Sequence, residues 1–246
     1  MIYISNMDSI FKNKTCIKTL SAKPGIEIRY AKIPEIIHSI FKKKARLDLR
    51  AKSNEVFRRE DLINPFLSDE EISTINGFKA FKKQIEWISG RYLIKHLIAD
   101  LSFSNASLDQ IILSYFDQGA PFLSTHPDLS ISLSHSNDYA VAACCKDEKQ
   151  TLGIDIEKIT KKPDANFLKI AFTKNEILNL KSDAAQIFKN WTIKEAYLKY
   201  IQKGFNESLH KVEVINNEIF HNSVKIDVDV FSTFINGDYV LSLVSN

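Results

Sequence analysis

From Ala184 to Lys203 the chain carries neither glycine nor proline, and most of these residues are good helix formers. The stretch predicts one long helix, with Gly204 as its C-terminal stop. The rest of the chain must then supply a surface for this helix to lie on. Within it, Trp191, Glu195 and Lys199 recur every four residues and share one face at 3.6 residues per turn. Ile193, Tyr197, Leu198 and Ile201 can supply the buried side. Taken alone, Glu195 and Lys199 read as an ordinary i,i+4 surface pair, worth about 0.2–0.5 kcal/mol.

Strand material surrounds this helix. Gly153-Ile154-Asp155-Ile156-Glu157 alternates cleanly, so a strand turns both isoleucines to one side and both carboxylates to the other. The simplest account of such a face is the solvated side of an edge strand. The chemical account is a divalent cation. Two carboxylates suit Mg²⁺, which prefers oxygen ligands and shares itself with phosphates, and Glu195 can be the third ligand if the long helix packs over this strand. Leu129–Leu133 and Tyr139–Cys145 read as a hairpin joined by a polar link, Ser134–Asp138. The tail predicts strands over Lys211–Asn216, Glu218–His221, Val224–Phe231 and Tyr239–Val244, turning at Asn216-Asn217 and Asn236-Gly237.

Earlier in the chain, Met1–Ser5, Ile26–Ala31 and Leu108–Tyr115 read as strands. Pro34 opens a helix running from Glu35 to about Leu47. Ser68 with Glu71 forms a capping box for a helix stopping near Gly77. A longer helix is expected over Phe78–Asp100, and Phe167–Lys181 reads as helical with a break at Thr173. Trp87 and Lys95 repeat the eight-residue spacing of Trp191 and Lys199. That weak duplication suggests two like halves, each a helix with antiparallel strands, and a cleft between them.

A chain of 246 residues suits two halves of about 120 residues each. Its 44% hydrophobic and 26% charged residues are those of a soluble globular protein, and a net charge of +3 makes no demand for nucleic acid. Residues 1–60 are locally basic, with 14 Lys or Arg against 6 Asp or Glu, a net +8, a face able to receive an acidic partner or a phosphorylated ligand. Cys16, Cys144 and Cys145 show no disulfide or zinc spacing, which fits a reducing, cytoplasmic setting. Met1–Thr15 lacks the apolar core of a signal peptide. The longest apolar run, Tyr139–Cys145, is too short to span a bilayer.

Ser132-Leu133-Ser134-His135-Ser136 places a histidine among small hydroxyls at a strand end, a composition suited to an anion. There is no Gly-x-Ser-x-Gly and no Gly-rich phosphate loop. Ser-Leu-Ser-His-Ser at 132–136, Gly-Ile-Asp-Ile-Glu at 153–157 and Trp-Thr-Ile-Lys-Glu-Ala-Tyr-Leu-Lys at 191–199 occur in that order, with Phe172-Thr173-Lys174-Asn175-Glu176 between the last two. Together they resemble the 4′-phosphopantetheinyl transferase superfamily, specifically its full-length Sfp-like group. The motif match covers residues 119–205, and Glu86–Arg91 resembles that family's N-terminal half.

The resemblance implies an α+β fold: a pseudo-two-fold pair of similar halves, 1–150 and 151–246, each a long helix on a small, mostly antiparallel sheet, with the active-site cleft between them. It implies transfer of the phosphopantetheine arm of coenzyme A to a serine of an acyl or peptidyl carrier protein, releasing adenosine 3′,5′-bisphosphate. By motif position, Asp155, Glu157 and Glu195 would hold Mg²⁺. Glu195 would be the base and Lys199 would serve the leaving phosphate. Ser134, His135 and Lys194 would contact coenzyme A phosphates, and Arg91, with Lys82 or Lys83, would lie near the adenosine 3′-phosphate. Glu176 would serve the metal region or only cap a helix. An acidic carrier, a monomeric pseudo-dimer, and no nucleic-acid or membrane partner complete the expectation. Gly119-Ala120-Pro121 departs from the family's frequent Gly-Lys-Pro and lacks its cation. Two other functions remain open on sequence: a non-catalytic coenzyme A- or carrier-binding module, and an unrelated phosphate- or nucleotide-binding protein using the basic end.

Overall fold

The computed structural model describes residues 16–41, 62, 66–102, 107–147, 150–161, 163–180 and 183–246. The expected strand at Met1–Ser5 and most of the basic N-terminal excess lie outside these residues.

The fold is α+β. One sheet is built from β1 (Lys18–Lys23), β2 (Ile26–Lys32), β5 (Ser130–Ser136) and β6 (Tyr139–Cys145), in the order β1-β2-β6-β5, all antiparallel. A second contains β7 (Leu152–Lys158), β11 (Asp229–Ile235) and β12 (Tyr239–Ser245), in the order β11-β12-β7, also antiparallel. The alternation of β6 explains how they stack. Ala140, Ala142 and Cys144 pack with Ile88, Leu93 and Leu97 of the long helix α3 (Phe81–Ser102). Tyr139, Val141, Ala143 and Cys145 face the other way, onto Ile154, Ile156, Leu241 and Leu243 of the second sheet. Both faces of β6 are therefore buried, which is why its sequence is a continuous apolar run. On the far side of the second sheet lies α6 (Ala184–Tyr200), with Ile193, Ala196, Tyr197 and Leu198 against Val244 and the small sheet β8 (Val212–Ile215), β9 (Glu218–His221) and β10 (Val224–Ile226). The layers run helix, sheet, sheet, helix.

Gly153 decides how closely α6 approaches. A Cβ built there would stand 2.0 Å from the Ala196 carbonyl oxygen and 2.4 Å from the Tyr200 nitrogen. Only a residue without a side chain lets the helix backbone cross β7 at this height, and the crossing sets Glu195 and Lys199 over Asp155 and Glu157.

Several sequence expectations change in detail. The helix opened by Pro34 is α1 (Ile33–Ile40), with extended Phe41 as its C-cap, and does not run to Leu47. Leu108–Tyr115 divides into a 3₁₀ turn, Leu108–Gln110, and β3 (Leu113–Tyr115), which pairs with β4 (Pro121–Leu123). Strand β5 continues to Ser136, so Ser134 and His135 sit in a strand and the turn is Asn137-Asp138. Val224–Phe231 breaks into two strands belonging to different sheets. Helix α6 ends at Tyr200, and the left-handed residue directly after its cap is Gln202 (φ 58°), with Gly204 (φ 49°) left-handed two residues further on. Lys203 N–H donates to the Leu198 carbonyl and Gln202 N–H to that of Lys199, which together form a Schellman closure.

The capping box appears as expected on α2 (Asp69–Asn76), where Ser68 and Glu71 bond reciprocally. Thr173 and Glu176 repeat it on α5 (Lys174–Asn179), which follows α4 (Ala165–Ala171). Each capping glutamate also meets a buried lysine of the following long helix. Lys95 Nζ donates to Glu71 and the Phe66 carbonyl, and Lys194 Nζ donates to Glu176 and the Ala171 carbonyl. The lysine matching Lys95 is thus Lys194, and the Trp–Lys spacing that paired Lys95 with Lys199 compares unlike positions.

Candidate active site

Strands β5 and β7 are the edge strands of the two sheets, and they lie side by side. Ser132 Oγ accepts from Ile154 N–H at 3.0 Å. Ser134 Oγ donates to Asp155 Oδ1 at 2.7 Å, and Ser136 Oγ donates to Glu157 Oε2 at 2.6 Å. The contacts advance together along both chains, so the strands run parallel with serine side chains bridging the seam. Beside this seam opens a cavity of about 490 Å³ lined by Arg91, Ser134, His135, Asp155, Glu157, Glu195 and Lys199 among others. Seven of the eight expected site residues therefore face one space.

Asp155, Glu157 and Glu195 each bring an oxygen within 4.8 Å of the others. Asp155 is 2% exposed, so the strand's acidic face is not a solvated one. Its Oδ1 accepts from both Ser134 and Lys199 Nζ, the latter at 2.8 Å. Its Oδ2 is buried and has no hydrogen-bond partner among the described residues, a costly state for a carboxylate oxygen unless a cation completes it. Three carboxylates, one with an oxygen left without a partner among the described residues, fit Mg²⁺ chemistry. Burial chiefly pushes the Glu195 carboxyl up to about 8; Asp155 adds to this, Lys199 opposes it and Glu157 adds further. Glu157 is also raised, first by burial, against the hydrogen bond from Ser136. Lys199 does not form the surface pair with Glu195 that spacing alone suggests. It reaches across to β7, where its ammonium also donates to the Ile154 carbonyl at 3.0 Å.

Arg91 also lines the cavity and is 4% exposed. Its guanidinium lies 3.8 Å from the Trp87 ring centroid, 5.3 Å from that of Tyr115, and donates to Tyr115 Oη at 2.6 Å. Ala120 lines the same wall without a charge. His135 is half exposed, with Nδ1 3.7 Å from Glu86.

Lys194 is the exception. It is fully buried on the other side of α6, and its ammonium is held by the Ala171 carbonyl at 2.9 Å, Glu176 at 2.6 Å and the Leu209 carbonyl at 3.2 Å. A phosphate contact from this residue is incompatible with that setting. Glu176 belongs to the same clamp, accepting also from Val214 N–H and Thr173 N–H, so it caps a helix and does not join the acidic cluster. Trp191 packs against Phe167 and Phe172, as an anchor for α6. The residues that motif reading passed over are Trp87, Tyr115 and Ser136. The last had a visible signal, the period-two serine stripe at 132, 134 and 136.

Residues 151–244 match the model of the 4′-phosphopantetheinyl transferase superfamily. The chain is 30% identical over 152 residues to the 4′-phosphopantetheinyl transferase psf-1 of Bacillus pumilus, covering 60% of this chain and 63% of that one. It is 28% identical over 172 residues to the 4′-phosphopantetheinyl transferase gsp of Aneurinibacillus migulanus, covering 67% and 69%. Against the L-aminoadipate-semialdehyde dehydrogenase-phosphopantetheinyl transferase of Xenopus laevis, identity is 30% over 162 residues, covering 58% and 52%. The chain spans about half to two thirds of the length of these relatives.

Proposed function

We propose that the chain is a 4′-phosphopantetheinyl transferase, of the superfamily whose model residues 151–244 match. It moves the phosphopantetheine arm of coenzyme A to a serine of an acyl or peptidyl carrier protein. The observation that carries this reading is the cavity at the β5–β7 seam, where three carboxylates gather within 4.8 Å and a buried guanidinium lines the same space.

In this proposal Asp155, Glu157 and Glu195 hold Mg²⁺. When bound, the metal neutralises charge on the coenzyme A pyrophosphate. Glu195 also takes the proton of the carrier serine, and its raised carboxyl is matched to a base working near neutral pH. The serine oxygen forms a bond to the phosphate bearing pantetheine. The bridging P–O bond of the pyrophosphate breaks, and its electron pair leaves with adenosine 3′,5′-bisphosphate. Lys199, about one turn from Glu195 on α6, places its ammonium where it offsets the charge on that leaving group. Arg91, held over the Trp87 ring and by Tyr115 Oη, supplies a fixed cation for a coenzyme A phosphate, compensating for the uncharged Ala120. His135 contacts the pyrophosphate side, beside Ser134, whose hydroxyl proton is committed to Asp155 Oδ1. The halves 1–150 and 151–246 form a pseudo-two-fold pair within a monomer.

The basic N-terminal residues would favour an acidic carrier. The three free cysteines accord with a cytoplasmic setting, and no helix among the described residues is long and apolar enough to cross a membrane. The test is chromatographic: coenzyme A, Mg²⁺ and an apo carrier protein should yield adenosine 3′,5′-bisphosphate only when all three are present with the protein. No release across fatty-acid, polyketide, peptide-synthetase and aminoadipate-reductase carriers contradicts the proposal.

A further inference from the structure

The serines of β5 do more than join two sheets. We infer that Ser136 is a positioning residue for Glu157, and that with Ser134 it aims the strand carboxylates at the space they share with Glu195. This deepens the transferase reading and rests on it.

The inference stands on the direction of each hydrogen bond. Ser136 Oγ accepts from the backbone N–H of Lys158 at 3.2 Å and donates to Glu157 Oε2 at 2.6 Å. The accepted bond occupies one side of the oxygen, leaving the hydroxyl proton aimed at the carboxylate. A backbone amide on the next residue thus sets the rotor that holds the side chain of Glu157. Ser136 is 8% exposed, so water has little access to replace it. Ser134 treats Asp155 alike, fixing Oδ1 jointly with Lys199 while Oδ2 stays without a partner among the described residues. Asp155 is thus gripped by one oxygen, while Glu157 is held by Ser136 with the Trp191 indole as a second hydrogen-bond partner.

Ser132 supplies the contrast. It lies on the same face of the same strand and ties the same seam, but through the backbone N–H of Ile154 at 3.0 Å. It makes the structural link and touches no carboxylate. If the serines only held β5 to β7, Ser132 and Ser136 would be equivalent.

The experiment measures metal binding in the absence of coenzyme A and carrier, by following loss of the free Mn²⁺ resonance on titrating the protein. Ser136→Ala should weaken Mn²⁺ binding by about tenfold, the lower end for loss of an outer-shell partner. Ser136→Thr, which keeps the hydroxyl, should restore it. Ser132→Ala should lower the unfolding midpoint and leave Mn²⁺ affinity unchanged. In turnover, Ser136→Ala should raise the metal concentration needed for half-maximal rate and largely retain kcat at saturating metal. Equal Mn²⁺ affinity in wild type and Ser136→Ala, or an equal loss in Ser132→Ala, overturns the inference and leaves the transferase reading standing. Failure of the wild-type protein to bind Mn²⁺ overturns both.

Discussion

Gly153→Ala drives a methyl group into the backbone of α6. The new carbon would lie 2.0 Å from Ala196 O, 2.4 Å from Tyr200 N and 3.0 Å from Lys199 C, where ordinary contact begins at 3.4 Å. All three are main-chain atoms, so no rotamer change relieves the overlap. The helix must retreat from β7 by about 1.4 Å at this point, the difference between 3.4 and 2.0 Å. Overpacking of this kind costs about 1–3 kcal/mol. The larger effect is on geometry, because Glu195 and Lys199 ride on the displaced segment and a misplacement of about 1 Å costs about 10²-fold in rate. We expect a lower urea midpoint and a fall in kcat of about 10²-fold at saturating coenzyme A and metal. Gly90→Ala makes the control for stability. It lies in the helix α3 with open space around its missing side chain, and should gain about 0.5–1 kcal/mol. If Gly153→Ala unfolds and turns over like wild type, the close crossing of α6 does not hold the site together.

Other outcomes follow from the same geometry. Glu195→Gln should abolish transfer while calorimetry still detects coenzyme A binding; normal turnover would remove Glu195 as the base. Lys194→Met leaves Glu176 buried without its cation and should cost about 3–5 kcal/mol in urea unfolding, whereas Lys199→Met should lose turnover with a smaller change in stability; the reverse ranking would return Lys194 to the site. Because the folded Glu195 carboxyl is raised to about 8 from an ordinary 4.5, the folded state holds a proton that the unfolded chain has released between those values. Stability of the metal-free protein should therefore fall as pH rises from about 4.5 to 8, and Mg²⁺ binding at pH 7 should expel up to one proton, read by calorimetry in buffers of different ionisation enthalpy. No proton release would contradict the clustering of the three carboxylates. Arg91→Lys keeps the charge but loses the guanidinium contact with the Trp87 ring and the bond to Tyr115 Oη, and should raise the KM for coenzyme A with kcat little changed.

Much of the site is written in local patterns. The alternation at 153–157 does form a strand, the glycine-free run does form α6, and Ser68 and Thr173 do begin helices. Such features depend on neighbours in sequence, where periodicity and capping chemistry operate. What escaped depends on distant partners. Lys194 and Lys199 look alike as lysines of one helix, and only the packing of α6 sends one into the Glu176 clamp and the other to Asp155. The short strands β1 and β4 carry little period-two signal of their own and exist because β2 and β3 offer edges. Ser134 and His135 looked like a turn because small polar residues favour turns. Their strand is instead held by seven paired positions with β6, and the polarity serves the seam with β7.

The most direct measurement is the intact mass of a carrier protein after incubation with this chain, coenzyme A and Mg²⁺. The account predicts that wild type adds one phosphopantetheine arm to the carrier serine and that Glu195→Gln adds none. An unmodified carrier with the wild-type protein, or equal modification by Glu195→Gln, would contradict it.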